Sequence, residues 1–335
     1  MAGRRRVLLA RLDNVGDVLL TGPAVRAVAH QADVVYLTSP QGRAAAELLP
    51  GVQRIVEHHS EWIDAHPPPA HAPSLMGLVR ELRRLSLTEA CIFTSSHQSA
   101  LPLALLLRLA AVERITAVSH DYAGSLLDHR IPGDPDVHEV ERNLHVVAAA
   151  GYELPDGDAG QLQVHHRRPP SPGDYVVVHP GASVPARTLA PTRWQEVVER
   201  IATSGRPVIV TGSGRERELA AAVAGAHAEV RTGLSLGDLA GLLAGADGVV
   251  VGNTGPAHLA AAVGTPVVEV FAPTVPAARW RPWGVPSVLL GHQSIDCAGC
   301  RSRSCPLPDQ PCLADVGPGD VLAALERVAP MKACR

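Results

Sequence analysis

Short apolar runs alternate with helically spaced stretches along this chain, and turn signals separate them. Residues 6–12, RVLLARL, have the length and composition of a buried strand. The turn DNVGD follows, and residues 18–29 read as helix apart from a break at Gly22-Pro23. DVVYLTS (33–39) reads as the next strand, and residues 74–85 carry apolar side chains at helical spacing. Strands are expected at 89–95 and 113–119, and helices at 99–109 and 138–151, the last ending at glycine. Such alternation predicts βα units wound into a parallel sheet.

Residues 165–174, HHRRPPSPGD, are polar and proline-rich and read as a domain boundary. A second alternating series begins after them. YVVVHPGAS is strand then loop, TRWQEVVERIATSG a helix closed by glycine, and RPVIVTGSGRERELAAAVAG a strand, a glycine-rich turn and a helix. LSLGDLAGLLAGA is helical, and residues 319–329 form a final helix. Between them lies GVVVGNTGPAHLAAAVGTPVVEVF, read as a strand (248–251), a helix with Pro256 in its first turn (256–263) and a strand (265–271). Asn253, Thr254 and Gly255 therefore sit where a strand ends and a helix begins. In open α/β sheets ligands bind at that edge, and the helix start favours an anion. His258, in the first turn, can face the same anion; the alternative is a helix cap beside a core histidine.

The 335 residues suffice for two domains, and 46% hydrophobic with 19% charged residues is ordinary for a soluble globular protein. A net charge of −3 gives no general attraction to nucleic acid or to anionic membranes. The basic run at 4–6 abuts a strand and reads as a solvated strand entrance. The most apolar segment, 101–112, is too short to span a bilayer and contains Arg108. A strand-like run starting at Val7 with no cleavage pattern after it argues against a signal peptide, so a cytoplasmic location is expected.

Cys91 lies in an apolar run and reads as a core residue, and Cys334 is near the end of the sequence. Cys297, Cys300, Cys305 and Cys312 cluster at C-x2-C-x4-C-x6-C spacing. Four thiolates can hold zinc as a structural knot. An iron–sulfur cluster, reduced thiols and a local disulfide are the alternatives left open, the spacing being tighter than in common zinc ribbons.

Three stretches, in order, carry a resemblance. RVLLARLDNVGDVLLTGPAVRAV, HPGASVPARTLAPTRWQEVV and GNTGPAHLAAAVGTPVVEVFAP resemble the ADP-heptose heptosyltransferases of glycosyltransferase family 9. The resemblance implies an α/β GT-B fold, two Rossmann-like domains whose parallel sheets face a central cleft. Residues 1–165 would bind the acceptor and 174–318 the nucleotide sugar, with the helix in 319–335 crossing back to the first domain. It further implies inverting transfer from a nucleotide diphosphate sugar, ADP-heptose in the family, to a hydroxyl of a glycan or small-molecule sugar, with no metal or cofactor needed for catalysis.

Such a transfer needs a base for the acceptor hydroxyl and positive charge for the departing diphosphate. By resemblance the Gly16-Asp17 pair carries the base, Asp17; the alternative is that Asp17 caps the following helix. Arg187 falls where similar proteins carry a basic residue, seven positions before Trp194. Thr254, Gly255 and His258 would bind the remaining phosphate oxygens. Gly212, Gly214, Glu216 and Leu234 are expected at the nucleoside, although Glu216 equally fits a charged helix face. Asn253, expected at the donor nucleoside or sugar, stands where many members have aspartate, which leaves the donor sugar open. Asp13, the other carboxylate of the first loop, and His97, Gln98 and His120, which follow strand ends, are candidates for the acceptor side, each of the last three with an alternative as a plain loop residue. Two rival functions are a nucleotide-sugar epimerase or hydrolase and a non-catalytic nucleotide-sugar binder.

Overall fold

The computed structural model describes residues 5–64, 66–133, 136–166 and 174–331, and the chain divides into two compact units, Met1–Gln163 and Val164–Arg335. The polar boundary read at 165–174 falls largely outside the described residues, as do Arg4 and Cys334.

The first unit is built on β1 (Arg6–Arg11), β2 (Asp33–Thr38), β3 (Val52–Glu57), β4 (Glu89–Ile92), β5 (Arg114–Val118) and β6 (His129–Ile131). Its helices are α1 (Val15–Leu19), α2 (Gly22–Ala29), α3 (Arg43–Ala46), α4 (Ala72–Arg84), α5 (Leu101–Leu109) and α6 (Glu139–Ala149). The six strands are parallel, in the order β3-β2-β1-β4-β5-β6. One sheet face packs Leu8, Ala10, Ile92 and Ile115 against Leu78 and Leu82 of α4 and Leu103 and Leu107 of α5. Covered on both faces, the central strands need continuous apolar sequence, which VLLA and VVYL supply. The helical break expected at Gly22-Pro23 comes just before it: Thr21 donates its hydroxyl to the Val18 carbonyl at 2.7 Å, and Pro23 opens α2, where its missing N–H costs nothing.

The second unit repeats the design with β7 (Val176–His179), β8 (Val208–Gly212), β9 (Glu229–Thr232), β10 (Gly248–Gly252), β11 (Val267–Val270) and β12 (Ser287–Leu290). Between and after them run α7 (Pro191–Thr203), α8 (Arg217–Ala224), α9 (Leu236–Ala244), α10 (Gly255–Ala262), α11 (Ala277–Trp280) and α12 (Pro318–Val328). The parallel order is β12-β11-β10-β7-β8-β9, the same winding as in the first unit. In each sheet the chain starts in the middle, fills one half, then returns to fill the other. The switch points lie between β1 and β4 and between β7 and β10, where loops at the strand C-termini part and leave a crevice.

The final helix expected in 319–335 is α12, and it packs into the second unit. Val321, Ala324 and Leu325 of α12 join Val250, Val268 and Trp194 in the core of the second unit. The fit is close: a Cβ on Gly248 of β10 would stand 2.8 Å from a Leu325 methyl carbon.

Candidate active site

At the first switch point β1 ends in Arg11, whose guanidinium is buried with 1% exposure. It meets three carboxyl groups. Its Nη2 donates to Asp17 Oδ1 at 2.7 Å and to Ser95 Oγ at 2.8 Å, and its Nη1 donates to Glu139 Oε2 at 3.3 Å. Nε lies 2.6 Å from Asp13 Oδ2 in an ion pair of contact rather than of aligned hydrogen bonding. Burial opposes the charge on Arg11, but Asp13, Asp17 and Glu139 more than offset it and hold the guanidinium protonated. The Asp13 carboxyl is pushed up to about 6, first by burial and then by Asp17 and Glu139, against the pull of Arg11 and a Gln98 amide donated to Oδ1 at 2.5 Å. Part of that burial comes from a small pocket in which Asp13 meets Trp62, Ile63 and Phe93.

The three carboxyl groups differ in reach. Side-chain exposure is 22% for Asp17, 10% for Asp13 and 1% for Glu139, so solvent and ligands meet Asp17 first. Asp17 is not the cap of a helix. Asn14 caps α1 and Thr21 caps α2, and Asp17 lies inside the first turn of α1 with its carboxylate on Arg11. Gln98 joins this group through Asp13; His97 and His120 are exposed loop residues. Arg11, Ser95 and Glu139 were not singled out in the sequence. Arg11 carries a signal nonetheless, as the one charge inside the apolar run 7–12.

At the second switch point Thr254 is the N-cap of α10, with Pro256 in the first turn, so the first amides of the helix point outward from the strand end. Asn253, just before it, is 5% exposed, and its Nδ2 has no hydrogen-bond partner among the described residues. His258 is buried in the same first turn of α10. Gly252 explains how Arg187 comes here: a Cβ on Gly252 would lie 2.8 Å from the Arg187 carbonyl oxygen, so the turn 185–187 rests directly on the end of β10. Arg187 Nε donates to the Thr274 hydroxyl at 3.2 Å, beyond β11. Arg187, Asn253, Thr254 and Gly255 thus share one edge of the second sheet.

Glu216 closes the short helical turn that leads into α8. Its Oε2 accepts from the Ser213 amide at 2.7 Å, and its carboxylate lies against Gly181, where a Cβ would collide with it. Burial pulls the His179 imidazole below its ordinary value, Glu216 acting in the opposite sense, and His179 Nδ1 sits 3.0 Å from the Thr211 hydroxyl. The Gly233 amide donates to the Gly212 carbonyl at 3.0 Å, which joins the glycine-rich turn to the loop bearing the exposed Leu234.

The cysteine loop is corrected as a zinc site. Among the described residues no group of three or more His, Cys, Asp or Glu is placed to hold a metal ion. Cys297, Cys300, Cys305 and Cys312 are unbridged thiols, and burial, with the nearby Cys305 and Cys297, pushes the Cys312 thiol up. Cys91 is a buried core thiol as read. The loop does have a structural role. The Ala186 amide donates to the Arg303 carbonyl at 3.0 Å and Gln310 Nε2 donates to the Ala186 carbonyl at 2.7 Å, so this loop clasps the residue before Arg187 from both sides.

Two doubly wound parallel sheets of matching order, with polar clusters at both switch points, define a two-domain Rossmann-like enzyme of the GT-B type. Sequence likeness narrows the class. A profile described as Glycosyltransferase family 9 (heptosyltransferase) matches residues 78–310. Lipopolysaccharide heptosyltransferase 1 of Pseudomonas aeruginosa is 31% identical over 330 residues, covering 90% of this chain and 87% of that protein. The chain belongs to glycosyltransferase family 9 and is a glycosyltransferase. Solved structures agree on the fold. A family 9 glycosyltransferase from Veillonella parvula superposes with a TM-score of 0.79 at 17% identity, covering 98% of both chains. An E. coli heptosyltransferase with ADP-2-deoxy-2-fluoro heptose gives 0.71 at 21% identity, covering 96% of this chain and 99% of that one. No helix among the described residues is long and apolar enough to cross a membrane.

Proposed function

We propose that this enzyme transfers heptose, with inversion and without a metal, from ADP-heptose to a hydroxyl of a lipopolysaccharide core in the cytoplasm. The observation that carries the reading is the likeness to the Pseudomonas aeruginosa lipopolysaccharide heptosyltransferase 1 over 90% of this chain. In this reading the first unit binds the acceptor and the second the donor. Asp17, the most exposed carboxylate on Arg11, accepts the proton of the acceptor hydroxyl as its oxygen attacks the anomeric carbon. The bond from that carbon to the phosphate oxygen breaks on the opposite face, and ADP leaves carrying the negative charge. Arg187, His258, the Thr254 hydroxyl and the first amides of α10, opened by Gly255, stabilise that charge. Glu216 bonds the ribose, Gly212 and Gly214 let backbone approach the nucleoside, Leu234 packs on the base, and Asn253 contacts the sugar.

Transfer from ADP-heptose to heptose-deficient lipopolysaccharide, followed by mass spectrometry of the acceptor and by ADP release, tests the reading. Asp17→Asn is expected to lower kcat by about 100-fold or more with little change in KM. A metal chelator is expected to leave the wild-type rate unchanged. A fully active Asp17→Asn enzyme, or loss of activity with chelator that returns with a divalent ion, would contradict it.

A further inference from the structure

One buried cation serves two aspartates that stand at different depths. Arg11 bonds Asp17 through Nη2 at 2.7 Å and pairs with Asp13 through Nε at 2.6 Å. Asp17 is the more exposed of the two, and Asp13 is turned inward to Gln98 and the pocket wall formed by Trp62 and Phe93. In so water-poor a place the two carboxylates compete for one guanidinium, and whatever changes the charge of the inner one changes the hold on the outer one.

We propose that Asp13 is a positioning residue for the base: it shares Arg11 with Asp17, and the proton it holds or releases sets how strongly Arg11 holds Asp17. This inference rests on the reading of Asp17 as the base. With its proton on, Asp13 is neutral, Arg11 is left to Asp17 and Glu139, and it holds the Asp17 carboxylate more tightly. With its proton off, Asp13 draws on the same guanidinium, and Asp17 is freer to accept. The role differs from an acceptor contact, because Asp13 acts through Arg11 and touches no reacting atom.

The groups around Asp13 support this direction. Arg11 comes from β1, Asp17 from α1, Ser95 and Gln98 from the segment after β4, and Glu139 from α6, with Arg142 3.6 Å behind it. From β2 comes Tyr36, its phenol raised by burial and bonded to Thr21 at 2.7 Å; Ser39, just after β2, donates to the Asp13 carbonyl at 2.6 Å. Arg11 is the cation that directly contacts Asp13 among the described residues, and Asp17 and Glu139 both contend for it. Burial and this competition lift Asp13 to about 6, inside the range where a cytoplasmic enzyme is assayed.

The test combines carboxyl-carbon NMR of aspartate-labelled protein with the pH dependence of kcat, using ADP-heptose and heptose-deficient lipopolysaccharide as probes. In the wild type one aspartate is expected to titrate at about 6, and the Asp17 resonance is expected to show an inflection at that same midpoint. Asp13→Asn should abolish both. It should also flatten the acid limb of kcat and leave the rate about tenfold below wild type at pH 8. Gln98→Leu, which removes a donor to the ionised form, should move the midpoint upward. A titration at about 6 that persists in Asp13→Asn and vanishes in Glu139→Gln would overturn the inference. So would an Asp17 resonance without the inflection in the wild type, a readout independent of how any variant folds. An active Asp17→Asn enzyme would instead overturn the reading of the base.

Discussion

Glu269 has the most costly setting of any carboxylate in the second unit. It is 0% exposed in the middle of β11, and neither oxygen has a hydrogen-bond partner among the described residues. Burial raises its carboxyl well above the ordinary value of 4.5, so the folded chain keeps a proton that the unfolded chain has lost. The sign follows: the folded state binds more protons above 4.5, and the stability lost through Glu269 grows as pH rises. Glu269→Leu is expected to stabilise the protein by about 2 kcal/mol at neutral pH. Thermal melts should show a gap in Tm that is larger at pH 8 than at pH 5; an equal or smaller gap at pH 8 would contradict this. At this scale the sequence exposes chemistry by position. Asp13, Asp17, Asn253 and Thr254 stand out because they follow strand ends, the edge where sheets present ligands. What stays hidden is partnership: Glu139 lies 128 positions from Arg11, and no local pattern links them. The approach of Glu216 to Gly181 is likewise a contact in space only.

At the scale of elements, legibility follows burial. The central strands β1, β2, β4, β5, β7, β8, β10 and β11 read directly from their apolar runs. The strands that escaped are β3, β6, β9 and β12, and these are the outer strands of the two sheets. Their exposure explains it: β3 and β9 present arginines and glutamates to solvent, so VQRIVE and EVRT lack the continuous apolar signature. The final helix is legible too, although an amphipathic stripe says that a face is buried and not against what. The turn carrying Arg187 depends on such a contact. Gly252→Ala would push a methyl group to within 2.8 Å of the Arg187 carbonyl, and backbone on both sides leaves little room to yield. We expect a loss of about 1–3 kcal/mol in stability and a weaker ADP complex, read by thermal melts with and without ADP. Unchanged melting in both conditions would show that the turn does not rest on β10 as described.

Across the whole molecule, one winding order is used twice, and the two switch points carry opposite chemistry. The first gathers carboxylates around a single buried arginine; the second gathers a helix N-terminus, an arginine and a histidine. In the proposed reaction the first cluster supplies the base and the second holds the departing diphosphate. The overall plan was readable in sequence, since alternating strands and helices on either side of a proline-rich break predict two such units. The cysteine cluster was not, because four closely spaced thiols describe a metal knot and a structural loop equally well, and here the loop clasps Ala186.

Calorimetric titration of the full chain with ADP, GDP, UDP and dTDP, repeated on Arg187→Ala and His258→Ala, tests the donor assignment most directly. Selective binding of ADP, weakened about tenfold or more by each substitution, is the result predicted here. Absence of nucleotide binding, or ADP affinity indifferent to both substitutions, would contradict a donor site at the start of α10.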